Sequence, residues 1–116
     1  MSILFEQITD FFASIRELNL AEKSDWVIDS PCRWSYYFLD ASQENLVTLA
    51  KHLEEKGYEI VDIDEAEEAG DYFLQVDCIE THTPESLFEL SQSLEKLAGE
   101  FNVRDFDGMD VSGLEE

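Results

Sequence analysis

Apolar positions in this chain recur at two spacings, and the changes between them mark out its elements. Across residues 3–18, Leu4, Ile8, Phe11, Ile15 and Leu18 are spaced by three and four, which lines one side of a helix. Phe5 and Phe12 widen that stripe, and Glu6, Asp10 and Glu17 lie opposite. A face so rich in phenylalanine either docks on the rest of the chain or joins two copies as a homodimer. Residues 19–31 form a connector in which Trp26, Val27 and Ile28 read as a short extended piece. It ends at Ser30-Pro31, where proline restricts the residue before it. The boundary expected here separates an N-terminal helix and connector, 1–31, from a core domain, 32–110. Residues 111–116 are expected to be a loose tail.

Within the core domain, residues 32–39 are short and aromatic, as a strand should be. Trp34, Tyr36 and Phe38 share one face, and Ser35, Tyr37 and Leu39 the other. Ser42 then reads as the N-cap of a helix with Gln43 and Glu44 in its first turn. Leu46, Leu49, Ala50 and Leu53 form its stripe, Lys51 and Lys56 lie near its end, and Gly57 is its stop. Residues 58–63 alternate as a second strand and run into a polar connection, 64–70. Residues 71–79 carry apolar side chains on both faces, which predicts an interior strand. Thr83-Pro84 opens a further helix, with Glu85 and Glu89 near its positive end. Its stripe is Leu87, Leu90, Leu94 and Leu97, and Gly99 lies near its end. Residues 101–106 return to strand alternation, and Asp107-Gly108 is a turn signal.

After the leader helix the order is therefore β-α-β-β-α-β. It predicts a ferredoxin-like α+β sandwich, an antiparallel sheet with two helices on one face. In that topology the first and third strands are neighbours, which allows Cys32 and Cys78 to approach.

Charge changes the picture more than size does. The 116 residues carry 28 acids against 7 bases, a net charge of -21. Such an excess repels nucleic acid and anionic membranes, so a protein partner is expected, with no direct nucleic acid contact and no membrane. The aromatic first strand is accordingly read as core, since stacking surfaces for RNA come with basic surroundings. The chain has no apolar run long enough to span a bilayer and no basic, apolar start of a secretion signal. Cytoplasmic location and reduced thiols at Cys32 and Cys78 are the expectation.

Catalytic motifs are missing. There is no P-loop, GxGxxG, HExxH or GxSxG, and Asp62 and Asp64 lack the spacing of a calcium loop. His52 flanks the stripe of the second helix. His82, among Glu80, Thr81 and Thr83, is a weak zinc signal. The reading is not an enzyme, with no metal and no cofactor. From Glu54 to Asp71 there are nine acids and one lysine. This run is either a solvated strand end or a patch for a basic partner, and Asp62, Asp64, Glu65, Glu67 and Glu68 are the candidate partner-facing residues.

Three short pieces carry a family resemblance. One is Leu53-Glu-Glu-Lys-Gly57-Tyr58-Glu59-Ile60-Val61. A second is Gly70-Asp71 leading to Val76-Asp77-Cys78-Ile79. The third is Leu97-Ala-Gly-Glu-Phe101-Asn-Val103 followed by Asp105-Phe-Asp107-Gly108. From Leu39 to Gly108 the chain resembles the ribonuclease E inhibitor RraB family (regulator of ribonuclease activity B), with Met109 where that pattern favours Trp. The resemblance implies a small, acidic, non-catalytic protein that binds a ribonuclease E-type nuclease and modulates RNA degradation. Gly57, Tyr58, Asp77, Asp107 and Gly108 match the family motif, and their implied role is structural. Two other classes fit the residues as well: an immunity or antitoxin-like protein that neutralises a cationic nuclease, and an enzyme or small-ligand binder that uses His82 with nearby carboxylates.

Overall fold

Three helices and four strands follow one another as α1 (Phe5–Glu22), β1 (Cys32–Asp40), α2 (Gln43–Glu55), β2 (Glu59–Glu65), β3 (Tyr72–Glu80), α3 (Pro84–Glu100) and β4 (Asp105–Ser112). The structure, a computed structural model, describes residues 4–22, 26–66 and 70–113. The strands form one antiparallel sheet in the order β2-β3-β1-β4, so β3 and β1 are interior.

The alternation of β1 decides where the core lies. Trp34, Tyr36 and Phe38 are fully buried, and Leu74, Val76, Phe106 and Val111 from β3 and β4 join them. Leu46, Leu49 and Leu53 of α2 and Leu87 and Leu94 of α3 close the same cluster. α2 starts where expected, with Ser42 Oγ accepting the Asn45 N–H at 3.2 Å. It ends in a Schellman motif. Tyr58 N–H reaches Leu53 O, Gly57 N–H reaches Glu54 O, and Gly57 takes the φ of +104° that glycine tolerates. Thr83 and Ser86 cap α3 reciprocally, with Pro84 in its first turn.

A buried carboxylate ties three of these elements together. Asp40 Oδ2 accepts the Ser42 N–H at 2.9 Å and Asn45 Nδ2 at 3.2 Å, while its Oδ1 accepts the Arg104 N–H at 3.0 Å. The end of β1, the start of α2 and the approach to β4 thus share one acceptor.

The structure corrects the sequence reading in five places. α1 runs on to Glu22, and its buried side is Ile8, Phe12 and Asn19, whereas Leu4 and Leu18 are 61% and 50% exposed. The rotation follows from Asn19, whose Oδ1 accepts the Ile28 N–H at 3.2 Å and anchors the helix end to the returning chain. In α3 the fully buried positions include Ser91 and Ala98 in place of Leu90 and Leu97, because small side chains let the helix sit close to the sheet. Gly99 lies near the end of that helix, as expected, but residues 101–104, expected as strand, form the turn after it and the approach to β4. The helix end is made by Asn102 at φ 61°, in a second Schellman motif closed by Val103 N–H to Ala98 O at 2.8 Å. β2 continues through Asp64 and Glu65, which belong to the strand and not to a connection.

The fifth correction is at the C-terminal end. Asp107-Gly108 is no turn but a β-bulge inside β4, opposite the step between Tyr37 and Phe38. Looping out one residue keeps Phe106, Met109 and Val111 on the core side despite their uneven spacing. Gly108 has the φ of +132° that the bulge needs. Val111 is therefore buried and Ser112 paired with Arg33, where a loose tail was expected.

Candidate functional site

The second face of the sheet has no helix on it among the described residues, and the strand register specifies what it displays. Across the strands from β2 to β4, one row reads Asp64, Phe73, Leu39, Asp105. The next reads Asp62, Gln75, Tyr37, Gly108, and a third Glu59, Asp77, Ser35, Asp110. Acidic residues thus lie along both outer strands, with Phe73, Leu39 and Tyr37 half-buried between them.

Asp77 is the exception among these acids, because it is only 5% exposed on an interior strand. Its charge is met by Arg33 Nη1, 3.3 Å from Oδ2 and 3.1 Å from Glu59 Oε2, and by Gln75 Nε2 at 3.2 Å. Arg33, Glu59, Asp77 and Ile79 also line a groove of about 310 Å³ at one end of the face.

The arginines of the chain are engaged in ion pairs of their own. Each of the three is tied to carboxylates: Arg16 to Asp29, Arg33 to Glu59 and Asp77, and Arg104 to Asp71 and Asp105. These pairs hold the Asp29 and Asp71 carboxyls below the usual carboxylate range. Among the described residues, no ion pair reaches Asp62, Asp64 or Asp110.

His82 belongs to a separate, buried cluster on the helix side. Its Nε2 lies 2.8 Å from Glu80 Oε2 and 3.2 Å from the Tyr36 hydroxyl, and its Nδ1 is 2.9 Å from Ser86 Oγ. The Tyr36 hydroxyl donates to Glu80 Oε2 at 2.9 Å. Ser86 Oγ also accepts the Thr83 N–H, so the hydroxyl is engaged in the cap of α3. Both ring nitrogens of His82 are used, the residue is 9% exposed, and Trp34 packs edge-on against it at 5.2 Å. This is the geometry of a structural polar network. Among the described residues, no group of three or more His, Cys, Asp and Glu is placed to hold a metal ion. His52 packs against Phe101, with ring centroids 5.0 Å apart.

The two thiols are free. Cys32 pairs across the sheet with Glu80, and Cys78 with Trp34, so they sit diagonally on one face of neighbouring strands. Burial, with Glu80 nearby, pushes the Cys78 thiol up to about 11, and burial also raises Cys32. Both are therefore poor nucleophiles at neutral pH.

The cluster makes a pH-dependent prediction. The hydrogen bond from His82, and that from Tyr36, hold the Glu80 carboxyl below its ordinary 4.5. A depressed carboxyl adds stability above its unfolded value and loses it as pH falls through the folded one. Tyr36→Phe is expected to cost about 1–2 kcal/mol at neutral pH, and the deficit should shrink at a pH well below that ordinary 4.5, where the carboxyl is protonated. Urea melts of both proteins at the two pH values check this. Equal deficits at both would show that the hydroxyl does not act through the Glu80 anion.

With this geometry in hand, the family model of RraB, regulator of ribonuclease activity B, matches residues 16–111. The chain belongs to the RraB family. Its members are regulators of ribonuclease activity, and the match spans the second part of α1 and the elements that follow as far as Val111. A search of curated proteins finds no match. Among the described residues, no helix is long and apolar enough to cross a membrane.

In this RraB-family chain the motif residues lie apart. Gly57 ends α2, and Tyr58 packs its ring at 5.9 Å from Tyr36, where burial and Glu80 push its hydroxyl up to about 12. Asp107 and Gly108 form the bulge of β4, and of the five only Asp77 and Gly108 stand in the rows of the open face. The candidate partner-facing acids divide too. Asp62 and Asp64 are exposed on the open face, and Glu65, opposite Tyr72, alternates to the other side of β2. Glu67 and Glu68 lie outside the described residues. Asp77, named from the motif alone, and Asp105 and Asp110, not singled out in the sequence, come near the run in β2 only through strand register.

Proposed function

We propose that this RraB-family chain is an acidic, non-catalytic regulator that binds a ribonuclease E-type nuclease and lowers its cleavage of RNA. The family match over residues 16–111 carries the reading. The net charge of -21 supports a protein partner over RNA itself, because RNA-attracting surfaces of a nuclease are basic. Asp62, Asp64, Glu65, Glu67 and Glu68 are proposed as partner-facing acids. The strand order β2-β3-β1-β4 and the βαββαβ sequence after α1 favour naming the fold ferredoxin-like. Free thiols at Cys32 and Cys78 are in keeping with a cytoplasmic setting.

The test is RNA cleavage by a purified ribonuclease E-type nuclease, with the chain added in increasing amounts at several salt concentrations. Cleavage is expected to slow as the chain saturates the enzyme, and the effect to weaken as salt rises. Unchanged cleavage at low salt with the chain in large excess would overturn the proposal.

A further inference from the structure

We propose that the open face of the sheet is a docking surface for a single arginine-rich segment of a partner protein. Its guanidinium groups stack on Tyr37 and Phe73 and pair with the carboxylates of the outer strands. This rests on reading the chain as a protein-binding regulator and adds the surface and the chemistry it selects.

The first observation is that this face combines two properties which seldom serve solubility together. A solvated sheet face would be polar throughout, yet the interior strands carry Phe73, Leu39 and Tyr37 here, with Ile79 56% exposed at one end. The outer strands supply Asp62 and Asp64 on one side and Asp110 on the other, and none of these three is ion-paired among the described residues. An apolar, aromatic strip between lines of carboxylates suits a cation with a flat, weakly hydrated face. That description fits guanidinium better than ammonium, which is a compact and strongly hydrated point charge.

A second observation is that the protein already holds one guanidinium on this face. Arg33 bridges Glu59 and Asp77 at 3.1 and 3.3 Å and forms a wall of the groove beside Ile79. An incoming arginine at the next row would meet Asp62 with Gln75 beside it on β3 and Tyr37 one strand further on.

Shape limits the occupant. Four strands span roughly 14 Å at ~4.8 Å per step, room for one extended chain or one helix. Pairing along an edge is disfavoured, because register shifts interrupt the β2-β3 and β1-β4 ladders and acids punctuate both outer strands. The segment therefore lies over the face.

The test uses the full chain, ¹⁵N-labelled, titrated with a short synthetic oligoarginine peptide and with oligolysine of equal length. Oligoarginine is expected to bind several-fold more tightly, with amide shifts centred on β1, β3 and the facing rows of β2. Tyr37→Ala is expected to weaken it about five-fold. The double variant Asp62→Asn/Asp64→Asn, whose changes are at exposed positions, should weaken it about ten-fold and flatten its salt dependence. Glu85→Gln/Glu89→Gln on α3 should leave it unchanged. Shifts centred on the helices, equal binding of both peptides, or no response to the Asp62/Asp64 variant would overturn the proposal. The same variant separates this inference from the regulatory reading. If it inhibits a ribonuclease E-type nuclease as well as the wild type does, the surface is wrong and the regulator stands. If oligoarginine seats on the face and the wild type inhibits no such nuclease, the surface stands and the regulator is wrong.

Discussion

Trp34→Ala is expected to remove about 3–5 kcal/mol of stability, the range for deleting a large buried aromatic side chain. Trp34 is fully buried at the meeting point of three parts of the fold. Its indole ring lies 6.2 Å from Phe11 and 5.9 Å from Phe12 of α1, and 5.2 Å from His82. Its strand neighbours are Cys78 and Val111. Truncation would leave a cavity that no single element can collapse to fill, since the sheet, α1 and the His82 network each hold their own side. Trp34→Phe should be much milder. The Trp34 Nε1–H has no hydrogen-bond partner among the described residues, so replacing it removes an unsatisfied donor worth about 1–3 kcal/mol while keeping most of the apolar volume. Equilibrium urea denaturation with both variants checks the pair. A loss below about 1 kcal/mol for the alanine variant would mean that the surrounding elements repack freely.

The contrast between these elements and the open face shows what a sequence can reveal here. Local chemistry was legible: Ser42 as a cap, Thr83-Pro84 as a helix start, Gly57 as a stop, the alternation of Trp34, Tyr36 and Phe38, and the interior position of β3. The errors fell where one local signal serves two structures. Asp107-Gly108 suits a turn and a glycine bulge equally, and only the need to bury Val111 opposite Trp34 selects the bulge. Asp64 and Glu65 resemble a loop because acids are poor strand formers, yet a strand at the edge of a sheet tolerates and uses them.

The candidate surface was legible only in part for a related reason. Asp62 and Asp64 stand out in a run of acids, but Asp77 and Asp110 lie far along the chain and join them by register alone. Period-two alternation then removes Glu65 from the same face, a distinction that composition cannot make. The role of His82 was likewise hidden. Its partners Tyr36 and Glu80 come from two neighbouring strands, and what looked like a weak ligand set is a satisfied network.

Deleting residues 1–22 is expected to destabilise the protein by more than about 4 kcal/mol and to leave it prone to aggregate. The motivation is that α1 completes the core instead of extending from it. Ile8 is 2% exposed and Phe12 fully buried, and both belong to the same cluster as Trp34, Leu87 and Leu94. Phe5 packs edge-on against Phe88 of α3 at 5.6 Å. Loss of the two buried side chains forfeits about 2–3 kcal/mol each, and the indole of Trp34 is then uncovered as well. The family match begins at residue 16, so Ile8 and Phe12 lie before the matched span although they fill its core. Thermal melts and light scattering of the shortened chain decide the matter. A folded monomer of unchanged stability would make α1 an appendage. A folded monomer from a full-length dimer would make it the dimer contact, and loss of cooperative unfolding would confirm it as a wall of the core.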